Sequence, residues 1–107
     1  MEISQFQIAL VNLNPTIGSE IKKTRPYVIV SPDEMNRHLK TVIIAPMATT
    51  SKPYPTRVLL QHQQKKGWVV LDQIRTIDRS RIVRTYGHLT DKEIIQIKKI
   101  MKEMFVD

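Results

Sequence analysis

Cysteine is absent from this sequence of 107 residues, and glycine occurs only three times. Without cysteine the chain has no disulfide framework and no thiol chemistry, which fits a reducing cytoplasm. Three glycines leave no glycine-rich loop of the kind that cradles nucleotide phosphates. There is no run of about 18 apolar residues and no basic segment followed by an apolar one at the N-terminus, so we expect neither a transmembrane helix nor a signal peptide.

The three histidines are spread along the chain at positions 38, 62 and 88, and no cysteine accompanies them. A zinc site needs grouped His and Cys ligands, so the sequence predicts no metal and no cofactor. Two histidines could act together as an acid and a base. Histidines at predicted loops and element ends are more often exposed or capping residues, and we expect those roles here.

The balance of charge is basic, with 17 Lys and Arg against 10 Asp and Glu and a net charge of +7. Lys and Arg displace counterions from phosphates, so this charge favours a nucleic acid partner. An acidic protein would satisfy the same charge, and the two partners are compatible. A hydrophobic content of 41% in 107 residues predicts a packed fold with one domain, residues 1–107.

Short apolar runs at regular spacing predict an all-β barrel with short connections. The first run is apolar at almost every position, as in a strand that is buried on both faces or lies in a barrel wall. Pro46 is expected to end the third strand or to place it at an edge, and Gly67 to close a polar turn over 61–66. Residues 72–78 are expected to continue the fifth strand, and residues 78–82 to form one helical turn. The predicted strands are Ile8–Leu13, Tyr27–Val30, Thr41–Pro46, Thr56–Leu60, Trp68–Leu71 and Val83–His88.

Two helices are predicted. Ser31 is a good N-cap and Pro32 suits a first helical position, so one or two turns should follow them. The longer helix is predicted from Asp91 to Met104, packed on the sheet through an apolar stripe. Thr90 and Glu93 are expected to form a capping box at its start, and Leu89 and Ile94 a hydrophobic staple. The apolar stripe consists of Ile94, Ile97, Met101 and Met104, with Ile100 and Phe105 beside it.

A polar segment from Asn14 to Tyr27 separates the first two strands, and loops of this length are often functional. It ends in Arg25, whose planar guanidinium matches phosphate oxygens, while three hydroxyls follow the third strand at positions 49–51. A guanidinium and hydroxyls can together stabilise the charge of a phosphodiester transition state. If the substrate is RNA, its own 2′-OH can be the nucleophile without a metal. Arginine before proline at a strand start is more often a surface or ion-paired residue, and here Glu20 is the candidate partner.

Several short blocks resemble the MazF/PemK toxin family. They are Asn-Pro-Thr-Ile-Gly-Ser-Glu at 14–20, Thr-Arg-Pro-Tyr-Val-Ile-Val-Ser-Pro at 24–32, Asn-Arg at 36–37, Ile-Ala-Pro at 44–46, Pro-Tyr-Pro-Thr-Arg-Val at 53–58 and Leu-Asp-Gln-Ile-Arg-Thr-Ile-Asp at 71–78. Their order and spacing together are specific, and the similarity runs from about Ile8 to the C-terminal helix.

The resemblance implies an SH3-like or CcdB/PemK-type small β-barrel with a C-terminal helix and one or two short helical turns. It also implies a cytoplasmic homodimer that cuts single-stranded RNA at short sequence motifs. Such an enzyme needs neither ribosome nor metal and leaves a 2′,3′-cyclic phosphate and a 5′-hydroxyl. A cognate antitoxin protein would bind it and block the site.

Carried over by position, the resemblance assigns phosphate stabilisation to Arg25. The family's threonine falls on Ala48, and Thr49 is taken as the second catalytic candidate. Glu20 would orient Arg25 or contact RNA, and Arg75 would be structural or RNA-binding. The full set of expected RNA-binding residues is Ser19, Glu20, Lys22, Lys23, Thr50, Ser51, Lys52, Tyr54, Asp72, Gln73 and Arg75.

Two departures from the family pattern bear on these expectations. Ala48 stands where the family usually has threonine, so Thr49 or Thr50 takes that role or a hydroxyl is missing. Neighbouring residues of an extended chain point to opposite sides, so a simple exchange is not assured. Phe6 and Gln7 stand where Gly-Asp is common, at what is expected to be the periphery.

Two alternative functions follow from the same sequence. The first is a gyrase-poisoning toxin like CcdB, which acts through a C-terminal Trp-Gly-Ile; here the only tryptophan, Trp68, lies within a predicted strand. The second is a weak or inactive RNA-binding homologue that sequesters antitoxin, which the change at Ala48 would explain. The endoribonuclease is the preferred hypothesis.

Overall fold

The computed structural model describes residues 2–13, 24–62 and 65–107, and these form seven strands and two helices. No helix in these ranges is both long enough and apolar enough to cross a membrane. The strands are β1 (Gln7–Val11), β2 (Arg25–Ile29), β3 (Thr41–Ala48), β4 (Arg57–His62), β5 (Lys65–Val70), β6 (Arg75–Asp78) and β7 (Ile82–His88); the helices are α1 (Asp33–His38) and α2 (Asp91–Phe105).

The strands form one antiparallel sheet in the order β4-β5-β3-β2-β1-β7, with β6 added beside β3. The long strand β3 pairs with β2 along one edge. Along its other edge β3 pairs first with β6, over residues 41–44, and then with β5, over residues 47–48. The prediction of a mainly β fold with a C-terminal helix is confirmed. The outermost strands of the order, β4 and β7, do not pair with each other, so the sheet is not a closed barrel.

The central part of the sheet packs a core cluster on each face, which explains why its central strands are so continuously apolar. One face carries Val28, Ala45, Val58 and Val69 and is covered by α2 through Ile97. The other face packs a second cluster, which contains Ala9, Val11, Ile29, Val42, Ile44, Ile77 and Ile82. Because side chains alternate along a strand, neighbouring residues such as Val28 and Ile29 serve different clusters. In β1, Ala9 and Val11 on one face are buried, whereas Ile8 and Leu10 on the other face are half-buried, so the predicted burial on both faces is confirmed only for the first face.

The helix α2 begins with the predicted capping box. Thr90 Oγ1 accepts from the Glu93 backbone N–H at 3.2 Å, and Glu93 Oε1 accepts from the Thr90 N–H at 2.9 Å. Ile97 is fully buried, and the two methionines at 101 and 104 pack on the same core cluster. The placement of Phe105 beside the buried stripe is wrong, because this last helical residue is 61% exposed.

The start of α1 differs from the prediction by one residue. Pro32 occupies the N-cap position, and its side chain makes no capping hydrogen bond. The Ser31 hydroxyl is buried, donates to Asn36 Oδ1 at 2.5 Å and accepts from the Ile43 backbone N–H at 3.1 Å. Ser31 therefore joins α1 to β3 instead of capping the helix, because a buried hydroxyl must satisfy its hydrogen bonds where partners exist.

Two connections were also predicted incorrectly, and a third was predicted correctly. Gly67 does not close a turn but lies inside β5 opposite Leu60, because the hairpin extends to the pair His62 and Lys65. Residues 72–78 do not continue β5, since a short 3-10 turn at Leu71–Gln73 breaks the strand and β6 then pairs with β3. The predicted turn after β6 is confirmed as a 3-10 turn at Arg79–Arg81, where Asp78 accepts from the Ser80 N–H at 2.8 Å.

Pro46 lies within β3, so the prediction that it ends the strand is wrong. It pairs with Tyr27 of β2 on one edge. On the other edge it falls between the residues that pair with β6 and those that pair with β5. At that point β3 has a local free edge, which is where proline, lacking an N–H, is tolerated in a sheet.

Phe6 is not peripheral, as the sequence had suggested. It is 4% exposed in the core cluster under α2, and its backbone φ is 66°. The Gln7 N–H donates to the Ser4 carbonyl oxygen at 3.2 Å, so Phe6 is the third residue of a β-turn. A positive φ at this turn position usually calls for glycine, which is the residue the resembled family commonly has. Burial of the phenyl ring offsets the strained backbone.

We expect Phe6→Ala to destabilise the fold by about 3–5 kcal/mol, the usual cost of deleting a buried phenyl ring. Phe6→Gly loses the same ring but relieves the positive φ, so it should be more stable than the alanine variant by about 0.5–1 kcal/mol. Urea unfolding of the three proteins measures both differences. An alanine variant as stable as the glycine variant would show that the backbone at residue 6 is not strained.

Candidate active site

Arg25 is the first residue of β2, and its side chain is exposed. Its Nη1 donates to the carbonyl oxygen of Thr24 at 3.3 Å. Within the described ranges no carboxylate lies in ion-pair contact with it. The expected partner Glu20, together with Ser19, Lys22 and Lys23, lies outside the described residues, and the roles given to these four stay predictions. The Arg25 guanidinium is in a position to receive an anion from solvent.

The pairing of β2 with β3 determines what lies beside Arg25. The strands are antiparallel with Tyr27 opposite Pro46, so the beginning of β2 and the end of β3 meet at the same end of the sheet. Arg25 lies two residues before Tyr27, and Ala48 lies two residues after Pro46. Since side chains two apart in a strand share a face, Arg25 and Ala48 lie on the same face of the sheet.

The candidate hydroxyls follow directly after that end of β3. Thr49 and Thr50 occupy a bend, and both are exposed. Because β3 ends at Ala48, the strict alternation of strand side chains does not extend to them. The bend therefore leaves either threonine free to take the place of the family's threonine hydroxyl.

Arg57 at the start of β4 binds the rest of this loop. Its Nη1 donates to Ser51 Oγ at 2.8 Å, and its Nε and Nη2 approach the two carboxylate oxygens of Asp72 at 3.3 and 3.4 Å. Its guanidinium also lies over the Tyr54 ring, 4.8 Å from the centroid. Thr56 Oγ1 donates to Asp72 Oδ1 at 2.8 Å. Arg57 and Asp72 thus fasten the loop between β3 and β4 to the 3-10 turn that follows β5.

These bonds change the acidity of Asp72. The hydrogen bond from Arg57 is the main reason that the pKa of Asp72 falls below its ordinary value of 3.8; the Thr56 hydroxyl adds to it and partial desolvation opposes it. The carboxylate is therefore ionised and already paired at neutral pH. A paired carboxylate repels a phosphate chain less than a free one would.

The other expected RNA-binding residues that the structure describes lie in the loop after β3, in the 3-10 turn after β5 and at the start of β6. Lys52 and Gln73 are exposed. Arg75 is exposed at the start of β6, opposite Ile44, and Ile44 lies four residues before Ala48. At about 3.3 Å per residue this is about 13 Å along β3 from the Arg25 end. The structure brings Arg25 together with the hydroxyl loop, and it places Arg75 farther along the same face.

The histidines that the structure describes fit the surface roles predicted for them. His38 is exposed in the last turn of α1. The ring nitrogens of His88 lie 3.0 and 3.1 Å from the carbonyl oxygens of Leu89 and Gln5, which ties the N-terminal segment to the start of α2. The side chain of His62 lies outside the described part. In that part no group of three or more His, Cys, Asp or Glu side chains is placed to hold a metal.

The chain matches a known protein family over almost its whole length. The model of the PemK-like, MazF-like toxins of type II toxin–antitoxin systems matches residues 4–105. The chain belongs to this toxin family. The endoribonuclease toxin MazF of Escherichia coli is 35% identical over 89 residues, covering 82% of this chain and 80% of that protein. The endoribonuclease MazF of Staphylococcus saprophyticus is 31% identical over 96 residues, covering 84% and 80%.

Solved structures of MazF-like proteins share the fold. The MazE–MazF structure from Deinococcus radiodurans matches with a TM-score of 0.81 at 19% identity and covers 99% of this chain and 97% of that one. An endoribonuclease in complex with its cognate antitoxin, from a mycobacterial species, matches with a TM-score of 0.79 at 22% identity, covering 94% and 92%. The seven-stranded sheet with its C-terminal helix is therefore the architecture of PemK-like and MazF-like toxins.

The role of Arg57 in this PemK-like toxin was not predicted from the sequence, although Arg57 lies in the family-like block at residues 53–58. Its partner Asp72 is 15 residues away, and nothing in the local pattern of either segment indicates the pairing. The one available signal is the position of Tyr54 three residues before Arg57, which allows an aromatic ring to stack on a guanidinium.

The Arg57–Asp72 pair should stabilise the fold modestly and in a pH-dependent way. Because the folded-state pKa of Asp72 is lowered, its contribution is present above the ordinary pKa and is lost as the pH falls through the lowered value. A double-mutant cycle of Arg57→Met and Asp72→Asn, measured by urea unfolding, should give a coupling below about 1 kcal/mol at neutral pH. The coupling should vanish in acid. A coupling that does not change with pH would contradict this account.

Proposed function

We propose that this chain is the toxin of a type II toxin–antitoxin system and acts as a sequence-specific endoribonuclease on single-stranded RNA, without a metal. Family membership and relatives described as endoribonucleases support the activity. The observation that carries the proposal is the position of Arg25. Its guanidinium is exposed beside a loop of exposed hydroxyls and, among the described residues, no carboxylate neutralises it.

The reaction is a transesterification within the RNA. The 2′-oxygen forms a bond to the adjacent phosphorus, and the bond from phosphorus to the 5′-oxygen of the next nucleotide breaks. The 2′-OH gives up a proton and the departing 5′-oxygen takes one, so the products are a 2′,3′-cyclic phosphate and a 5′-hydroxyl. No metal is consumed or required, because the nucleophile belongs to the substrate.

Arg25 supplies electrostatic stabilisation in this proposal. The phosphate gains negative charge as the 2′-oxygen attacks, and a fixed guanidinium donates to its oxygens in bidentate fashion. Arginine remains protonated at any working pH, which suits a charge stabiliser and makes it a poor proton donor. Thr49 is the second catalytic candidate, since its hydroxyl can donate to a phosphate oxygen or accept from the 2′-OH.

The remaining residues of the set would hold the RNA strand. Lys52 and Arg75 supply charge, Tyr54 an aromatic face, and Thr50 and Gln73 polar groups on exposed positions. Asp72 and Ser51 act through Arg57 in the structure, and their contact with RNA remains part of the proposal. Ser19, Glu20, Lys22 and Lys23 complete the proposed RNA-binding set.

We also propose that the toxin is a cytoplasmic homodimer and that a cognate antitoxin covers the site. The support is the family description as one half of a toxin–antitoxin system and the solved relatives described as complexes with an antitoxin. The net charge of +7 suits an acidic antitoxin segment as well as it suits RNA.

A second candidate function is an inactive or weak homologue that binds RNA or antitoxin without cutting. Ala48 favours it, because this position ends β3 on the same face as Arg25 and carries no hydroxyl. The two candidates differ in whether the purified protein cleaves RNA.

Purified protein should cut a long single-stranded RNA in the presence of EDTA, and Arg25→Ala should lower the rate by about 100- to 1,000-fold, the usual effect of losing one donor to a developing anion. Mapping both ends of each product reports sequence specificity and end chemistry together. Cutting that requires added magnesium would contradict metal independence, and full activity of Arg25→Ala would remove Arg25 from the mechanism.

Arg84→Ala is the matched control for this experiment. Arg84 is also an exposed strand arginine, and it lies opposite Leu10, which pairs with Pro26. Pro26 is the neighbour of Arg25, so Arg84 lies on the other face of the sheet. The control variant has the same net charge as Arg25→Ala and should retain the wild-type cleavage pattern. Loss of cutting in Arg25→Ala alone, after identical purification, would exclude a contaminating nuclease.

The two threonines are separated by their valine variants, which remove the hydroxyl at nearly constant shape. We expect Thr49→Val to lower kcat by about 10- to 100-fold, equivalent to about 1.5–3 kcal/mol for a hydrogen bond to a charged group. Thr50→Val should mainly raise KM. Wild-type kinetics in both variants would show that neither hydroxyl replaces the one absent at Ala48, and Ala48→Thr would then be expected to raise kcat.

A further inference from the structure

Trp68 is the only tryptophan of the chain, and it lies in the middle of β5. It is only partly buried and belongs to neither hydrophobic core cluster. The neighbouring Val69, by contrast, is fully buried under α2. Core packing therefore does not account for a large aromatic side chain at position 68.

The sheet register places Trp68 on the face that carries Arg25. Trp68 pairs with Ala48 of β3 on one side and with Leu59 of β4 on the other. Residues opposite each other in an antiparallel sheet point to the same side, and Arg25 shares its face with Ala48. Trp68 and Leu59, the latter 38% exposed, thus extend the Arg25 end of the sheet with an apolar and aromatic surface.

The charged residues at the strand positions of this surface are positive, and one of them, Arg57, is paired with the carboxylate of Asp72 in the neighbouring 3-10 turn. Lys66 lies two residues before Trp68 on β5, and Arg57 lies two residues before Leu59 on β4, so both point to the same face. On the strand positions of this face that the structure describes, Arg25, Arg57 and Lys66 are the charged residues around Trp68. An aromatic ring among cations fits a ligand that combines a negative chain with flat rings, which describes a single-stranded nucleic acid.

Ala48 separates the indole from the guanidinium with a single methyl group. Arg25 and Trp68 lie on strands two positions apart in the sheet, which is about 10 Å. A larger residue at position 48 would fill the surface between them. With alanine there, an RNA chain whose phosphate lies at Arg25 can lay the base of an adjacent nucleotide on the indole.

We propose that Trp68 is a stacking platform for one RNA base next to the phosphate held by Arg25. The inference rests on the proposed function, because it takes RNA as the ligand. Base–aromatic stacking tolerates different bases, so Trp68 contributes affinity and fixes the position of the strand, while polar contacts discriminate between bases.

The experiment uses the fluorescence of Trp68, which is free of signal from any other tryptophan. The probe is a mixed-sequence oligonucleotide of about 10 nucleotides with 2′-O-methyl groups, which cannot be cut and has the length of a typical single-strand site. Binding is measured separately by the anisotropy of a labelled copy. Tryptophan emission should be quenched in parallel with binding, and a chain of the same length without bases should bind more weakly and leave the emission unchanged.

Substitutions at positions 68 and 48 test whether the fluorescence of Trp68 and the affinity for the probe depend on the same contact. Trp68→Leu should weaken binding of the probe by about 5- to 150-fold, the range for one stacked base. Trp68→Phe should retain part of the affinity, because a phenyl ring still stacks, and it also serves as a fold control by circular dichroism. Ala48→Leu keeps Trp68 but fills the surface beside it, so both quenching and affinity should decrease.

The outcomes separate this inference from the function on which it rests. If the probe binds by anisotropy without quenching Trp68, the platform is refuted while RNA binding stands. If iodide fails to quench Trp68 in the free protein and the protein sediments as a dimer, a second copy covers the indole, and the inference is likewise refuted. If the wild-type protein neither binds the probe nor cuts RNA, the proposed function fails first.

Discussion

The register of β2 against β3 is the constraint on which the candidate site depends. Tyr27 faces Pro46, and from that pair follow the shared face of Arg25 and Ala48 and the proximity of the hydroxyl loop. A slip of one residue would turn Arg25 towards the core cluster under α2 and move Val28 to the opposite core cluster. Burial of Val28 on one face and Ile29 on the other opposes such a slip, so the hydrophobic core fixes the position of a charged, exposed residue.

Local signals in the sequence were sufficient wherever one short segment determines the structure. The capping box at Thr90 and Glu93 needs only its own four residues, and it is present as predicted. The strand β1 was equally evident from its apolar composition. Local signals failed at Ser31 and Gly67. The Ser31 hydroxyl accepts from the backbone of β3, 12 residues away. Gly67 lies in a hairpin whose length depends on cross-strand pairing. Tertiary contacts outweigh local propensity at both positions.

In the candidate site, too, local sequence blocks predicted some residues, whereas contacts between distant segments could not be predicted. Arg25 and the hydroxyls were found from short blocks that resemble a toxin family, and the family is confirmed. The pairing of Arg57 with Asp72 joins segments 15 residues apart and could not be inferred from either segment alone. It changes the physical meaning of Asp72, whose carboxylate is held by a guanidinium and a hydroxyl. An acid that would otherwise repel phosphate becomes an anchor for the loop beside the proposed site.

Ala48 affects both the hydrogen-bonding groups of the candidate site and the space within it. A threonine there would offer a hydroxyl on the face of Arg25, and alanine offers only space beside Trp68. In the proposed mechanism, the lack of a hydroxyl at this position leaves charge stabilisation to Arg25 and the candidate Thr49. In the proposed binding mode, the space beside Trp68 lets binding energy from a neighbouring base position the phosphate at Arg25, and positioning of this kind lowers a barrier without a further catalytic group. Stacking on Trp68 would therefore offset part of what a hydroxyl at position 48 contributes.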